Sequence, residues 1–136
     1  MLINTLQETI NVLNKLIEIT NEDLKNIKEA NHEEVFKNIK TKEQLAYKFN
    51  QLKKNIDQIL VQRNRPVEEI FNKEEENLFN LFREKLNIFY EKHKKFSKMA
   101  ISVANFYNAL NSQIKNQEQI SYNERANFNS QLHIRA

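Results

Sequence analysis

FNLFREKLNIFYEKHKKFSKMAISVANFYNALNSQIKNQ, residues 79–117, is the stretch whose spacing decides the fold. Steps of three and four through it collect Phe79, Phe82, Leu86, Phe89, His93, Phe96, Ala100, Val103, Tyr107, Leu110, Ile114 and Gln117, and only His93 and Gln117 among these are polar. Such steps follow one face of an α-helix. Held for about five heptads with no Gly or Pro inside, they predict a long helix whose seam packs on partner helices. A strand would alternate with period two, and that pattern is absent.

Upstream, Ile3, Leu6, Ile10, Leu13, Ile17, Thr20, Leu24 and Ile27 repeat the same spacing, with Leu2, Val12, Leu16 and Ile19 widening the apolar face. A face that wide suits a helix touching two neighbours, hence a bundle. Asn31-His32-Glu33-Glu34 has the form of a capping box, so the first helix is expected over about 2–30 and a second from about His32. The second takes its apolar positions from Val35, Phe36, Ile39, Leu45, Ala46, Phe49, Leu52, Ile56, Ile59 and Leu60, with a register slip around Lys42. Asn64-Arg65-Pro66 ends it near residue 62, because proline disfavours helix in the residue before it and has no N–H. Val67, Ile70 and Phe71 make one apolar turn, and Asn72 to Asn77 (NKEEEN) carries no apolar residue. The third helix therefore starts at 67 or at 78.

These spans predict an all-α chain: an antiparallel helical hairpin completed into a three-helix, coiled-coil-like bundle over 1–117, with a long third helix, then a flexible polar tail over 118–136. At about 1.5 Å per residue the first two helices reach about 45 Å and the third about 60 to 75 Å. The third is expected to outrun its partners. Its C-terminal part holds Ile101, Val103, Phe106, Tyr107, Leu110 and Ile114 where charge nearly vanishes between Lys98 and Lys115. An uncharged apolar helical surface is what a protein partner covers.

Composition narrows the function classes. The 136 residues contain no Gly, no Cys and no Trp, one Pro, and 29% charged residues at a net charge of +3. Without Cys there are no disulfides and no thiolate chemistry. No basic and apolar leader opens the chain and no run of about 18 apolar residues occurs, so a cytoplasmic protein without membrane insertion is expected. Lys37, Lys40, Lys42, Lys48, Lys53 and Lys54 read as a solvated helix face, and a nucleic-acid-binding hairpin over Lys37 to Arg65 ranks last for want of Arg and stacking aromatics.

Catalysis needs converging groups in a partly dry site. The sequence has no glycine-rich phosphate loop, no His pair flanking a Glu, no nucleophile elbow, and no Glu-x-x-His of the kind four-helix carboxylate metal sites use. His93 reads as a seam histidine, and Glu74, Glu75 and Glu76 as a solvated run that fans out around a helix. No enzyme, metal or cofactor is expected.

Leu6, Ile10, Leu13, Ile17 and Leu24 at heptad spacing, the Lys-rich Thr41-Lys42-Glu43-Gln44-Leu45, the long third helix, and Asn105-Phe106-Tyr107-Asn108-Ala109-Leu110 running through Tyr122-Asn123-Glu124-Arg125-Ala126 together resemble the FlgN family of bacterial flagellar type III export chaperones. The resemblance covers most of the chain. It implies a chaperone that takes an amphipathic terminal helix of hook-filament junction proteins on its C-terminal helix, keeps them from assembling early, and delivers them to the export gate. On that reading Ile101, Val103, Phe106, Tyr107, Leu110 and Ile114 bind cargo and Tyr122 docks on the gate, while the free protein is left open as a monomer or a homodimer. Ala126 stands where the family's Tyr-x-x-x-Gly setting has glycine. The alternative from another class is a coiled-coil homodimer scaffold with no cargo.

Overall fold

The structure is a computed structural model that describes the backbone of residues 1–130 and the side chains of residues 1–116. Helix α1 spans Leu2–Lys28, α2 His32–Arg63 and α3 Lys73–Ser130, with a 3-10 turn at Val67–Glu69. No strand occurs among the described residues. The chain is all-α, a helical bundle with a long third helix, as its three-four spacing predicts. Helix α3 starts at neither 67 nor 78, and it continues past Gln117 into the stretch expected to be a tail. Residues 131–136 of that stretch lie outside the described residues.

The chain divides into two compact units, Met1–Ser97 and Lys98 onward. In the first, α1 and α2 run antiparallel, since Glu8 meets Lys48 at 3.3 Å and Asp23 meets Lys42 at 2.7 Å. The start of α3 turns back along α2: Arg63 meets Glu75, the Phe49 and Phe82 rings stack at 6.3 Å, and Lys42 lies 4.2 Å over the Phe96 ring. Leu2, Leu6, Ile10, Leu13 and Leu16 of α1, Phe49, Leu52 and Ile56 of α2, and Phe82 of α3 form the core, with Phe79, Leu86 and Phe89 packed partly against it.

The buried stripe of α1 is rotated from the one apolar counting selects. Its most deeply buried residues are Leu2, Leu6, Thr9, Leu13, Thr20 and Asp23, so the middle of the face runs through three polar residues. Two of them satisfy themselves within the helix: the Thr9 hydroxyl donates to the Thr5 carbonyl and that of Thr20 to the Leu16 carbonyl, each at 2.7 Å. Asp23 reaches across to α2 instead. It accepts from Asn38 Nδ2 at 2.9 Å and from Lys42 Nζ at 2.7 Å.

That contact removes the register slip expected in α2. From Val35 the covered face steps through Asn38, Lys42, Leu45, Phe49, Leu52, Ile56 and Ile59 in unbroken threes and fours, with two polar members where the count by hydrophobicity jumps to Phe36 and Ile39. Phe36 and Ile39 are exposed. Lys42 does not belong to the solvated lysine face, since its side chain is only 15% exposed.

Helix ends follow backbone chemistry in a chain without glycine. Ala30 takes φ 60, in the left-handed region, and the N–H groups of Ala30 and Asn31 donate back to the carbonyls of Ile27 and Asn26. This pair of bonds is a Schellman cap, usually built on Gly. Asn31 precedes α2 without a side-chain cap bond, so the capping box expected there does not form. At the other end of α2, Asn64 is left-handed at φ 45 and the chain then leaves through Pro66.

Candidate functional site

Two places in the molecule gather unusual chemistry: the corner between α2 and α3, and the C-terminal part of α3. At the corner, Arg63 Nη1 and Nη2 donate to the two carboxylate oxygens of Glu75 at 2.7 and 2.6 Å, and Nη1 also donates to the Ile70 carbonyl at 2.8 Å. Glu75 sits at the third position of α3, where it closes a capping box. The Glu75 N–H donates to Asn72 Oδ1 at 2.8 Å, and the Asn72 N–H donates back to Glu75 Oε1 at 3.0 Å. Asn72-Lys73-Glu74-Glu75 thus makes the motif that Asn31 to Glu34 does not.

Glu75 is buried, while Glu74 and Glu76 remain exposed as the solvated-run reading expects. The paired guanidinium, aided by the Asn72 N–H and against the cost of burial, lowers the Glu75 pKa to about 2. The same hydrogen-bonded pairing raises that of Arg63. The cleft over this corner, about 680 Å³, is lined by Gln62, Arg65, Glu69, Ile70, Phe71 and Asn72 beside the pair. It carries no His, Ser, Thr or Tyr, and its most buried charges neutralise each other. Such an arrangement fixes a turn. The cleft lining holds no hydroxyl, thiol or imidazole to act as nucleophile or base.

His93 is an exposed residue whose ring stacks on Phe89 at 5.5 Å. Partial loss of water, and then the positive charge of Lys42, lower its pKa. Among the described residues no cluster of His, Asp and Glu is arranged to hold a metal ion, and no helix is long and apolar enough to cross a membrane.

The second place is the unit from Lys98 onward. Ile101, Phe106, Tyr107, Leu110 and Ile114 are all exposed there, with Phe106 at 64% and Leu110 at 40%, and Val103 is half-buried. Phe106 and Tyr107 meet edge to face at 5.7 Å. At about 100° per residue, Val103, Phe106, Tyr107, Leu110 and Ile114 fall within an arc of roughly 100° on the helix, while Ile101 falls on the opposite side. The helix therefore gathers five of the six residues picked out for cargo binding and leaves Ile101 apart. Tyr122 falls within α3, and its side chain lies outside the described residues.

Sequence reasoning missed Asp23, Lys42, Arg63 and Glu75 as paired residues. For Glu75 a signal existed, the Asn-x-x-Glu spacing ahead of an apolar run. For Asp23 and Lys42 it lay in the unbroken register, visible once polar side chains are allowed on a seam. No family model, no curated protein and no solved structure matches this chain.

Proposed function

We propose that this chain is a non-enzymatic cytoplasmic export chaperone of the flagellar type III pathway. On this reading the α3 face of Val103, Phe106, Tyr107, Leu110 and Ile114 binds an amphipathic terminal helix of hook-filament junction proteins. Coverage keeps the cargo from assembling early, and Tyr122 contacts the export gate on delivery. The observation that carries the reading is the exposure of Phe106, Tyr107, Leu110 and Ile114 on one arc of a helix that has no Asp or Glu between Glu91 and Glu118. Each large apolar side chain left in water forgoes roughly 1.5 to 3 kcal/mol of burial, so a face of four favours a protein that covers it. The residues resembling the FlgN family supply the identity of the cargo.

The test is a titration of purified hook-filament junction proteins against wild type, Leu110→Asp and Ile101→Asp. Leu110→Asp is expected to weaken binding by more than about tenfold, a loss above about 1.4 kcal/mol. Ile101→Asp, on the opposite side of the helix, is expected to leave binding within about twofold of wild type. Unchanged affinity in Leu110→Asp removes this face from the reading. A chain that binds no junction protein and stays dimeric down to low micromolar concentration is a scaffold instead.

A further inference from the structure

The sequence positions beside the seam say how the partner is recognised. In the heptad count along α3, Phe79, Leu86, His93, Ala100, Tyr107 and Ile114 are first core positions, and Phe82, Phe89, Phe96, Val103, Leu110 and Gln117 second core positions. The positions flanking them differ sharply between the two halves. Before Lys98 they are Leu78, Arg83, Lys85, Tyr90, Lys92 and Ser97; between Lys98 and Lys115 they are Met99, Ala104, Phe106, Asn111 and Gln113, and charge returns only at Glu118, the flank of Gln117. The first set holds three cations, and the second holds no charge.

Within the first unit, Phe82 of this register is buried, and Phe79, Leu86 and Phe89 are half-buried against the core that α1 and α2 build. Val103, Tyr107, Leu110 and Ile114 continue the same three-four register, the spacing that a helix face fits. Flanking positions of a helix pair normally carry the charges that select partner and orientation. Here a partner's charged flanks would meet Met99, Ala104, Phe106, Asn111 and Gln113. They would lose water and gain no ion pair.

Resting on the docking reading above, we infer that the α3 face after Lys98 takes a partner helix with an apolar seam and uncharged flanks, recognised by apolar contact and amide hydrogen bonds rather than by charge. Its binding is insensitive to ionic strength. The face discriminates by excluding charge of either sign, and Phe106 at a flanking position widens it on one side.

The experiment measures binding of three labelled peptides to the full chain by fluorescence anisotropy. Each peptide spans about three heptads with Leu and Ile at the core positions, and the flanking positions are all Gln, all Glu or all Lys. The Gln-flanked peptide is expected to bind at least about tenfold more tightly than both others. Its affinity is expected to change less than about twofold as salt rises from about 0.1 to about 1 M, where the screening length falls from about 10 to about 3 Å. Gln113→Lys puts a cation at an exposed flank and is expected to shift preference toward the Glu-flanked peptide and make its binding salt-dependent. Tightest binding of the Glu-flanked peptide to wild type, or equal binding of all three, overturns this inference while the docking reading stands. No binding by any peptide, with helix content intact by circular dichroism, overturns both. A neutral-flank peptide that binds Leu110→Asp as tightly as wild type also overturns the inference, because the contact then lies elsewhere.

Discussion

Glu75 differs from Glu74 and Glu76 only in position, yet it alone is turned into the corner, where Arg63 and Asn72 use both of its oxygens. Its lowered pKa fixes a sign for acid sensitivity. The charged form is favoured by folding, so this stabilisation is present above the ordinary carboxylate value of 4.5 and is lost as pH falls through that value toward about 2. Glu75→Gln is expected to cost about 1.5 to 3 kcal/mol at neutral pH and to flatten the loss of stability below pH 4.5, read from urea unfolding at a series of pH values. Ala30 gives the opposite case, a residue that costs stability where it stands. A Cβ in the left-handed region is strained, so Ala30→Gly is expected to raise unfolding free energy by about 0.5 to 1 kcal/mol in the same assay. At this scale the sequence is legible only as alternatives. Asn-x-x-Glu occurs at both 31–34 and 72–75. The Schellman cap at Ala30 leaves Asn31 without a side-chain cap bond, with its Nδ2 on Glu29 at 3.4 Å, and only the second copy closes as a box.

Among the elements, α1 and α2 are aligned by one buried charged contact. Asp23 is almost fully buried, and its partners Asn38 and Lys42 occupy steps of the same three-four register that carries Phe49, Leu52 and Ile56. Removing Lys42 alone leaves a carboxylate in the interior with Asn38 as its remaining partner. Lys42→Met is therefore expected to destabilise by about 3 kcal/mol, while Asp23→Leu combined with Lys42→Met recovers most of that loss; a double-mutant cycle measures the difference. Additive losses would show that Asp23 and Lys42 act independently. The number, order and type of the helices are legible because a three-four spacing survives a few polar members. The rotation of α1 is not, since Thr9, Thr20 and Asp23 look like breaks until their hydrogen bonds are seen. The candidate face on α3 shows the converse. Val103, Phe106, Tyr107, Leu110 and Ile114 are legible as a group from spacing, whereas Ile101 joins them only by composition and is parted from them by helix geometry.

The molecule as a whole combines a unit that buries its seam, Met1–Ser97, with a unit that exposes one, from Lys98 onward. The all-α class was readable from the lack of Gly and the single Pro together with the spacing, since a chain with so few turn formers has few corners to place. Folding kinetics of the first unit can be expected from its contacts. Helical hairpins are rich in local pairings and fold in about microseconds to milliseconds. The corner at Arg63 and Glu75 joins residues only 12 apart in sequence. Loops of about that size close in roughly 10 to 100 ns, well before two long helices can align. A guanidinium and a carboxylate that met this early would give the bundle a starting point at its bend, with α2 and α3 lengthening outward from it in opposite chain directions. Arg63→Ala is then expected to lower the refolding rate and leave the unfolding rate nearly unchanged, the two arms of a chevron plot separating the effects. Faster unfolding with unchanged refolding would mean that the bend is locked last. In the first case the least regular part of the chain, the connection through Pro66, carries the instruction for the order in which the regular parts assemble.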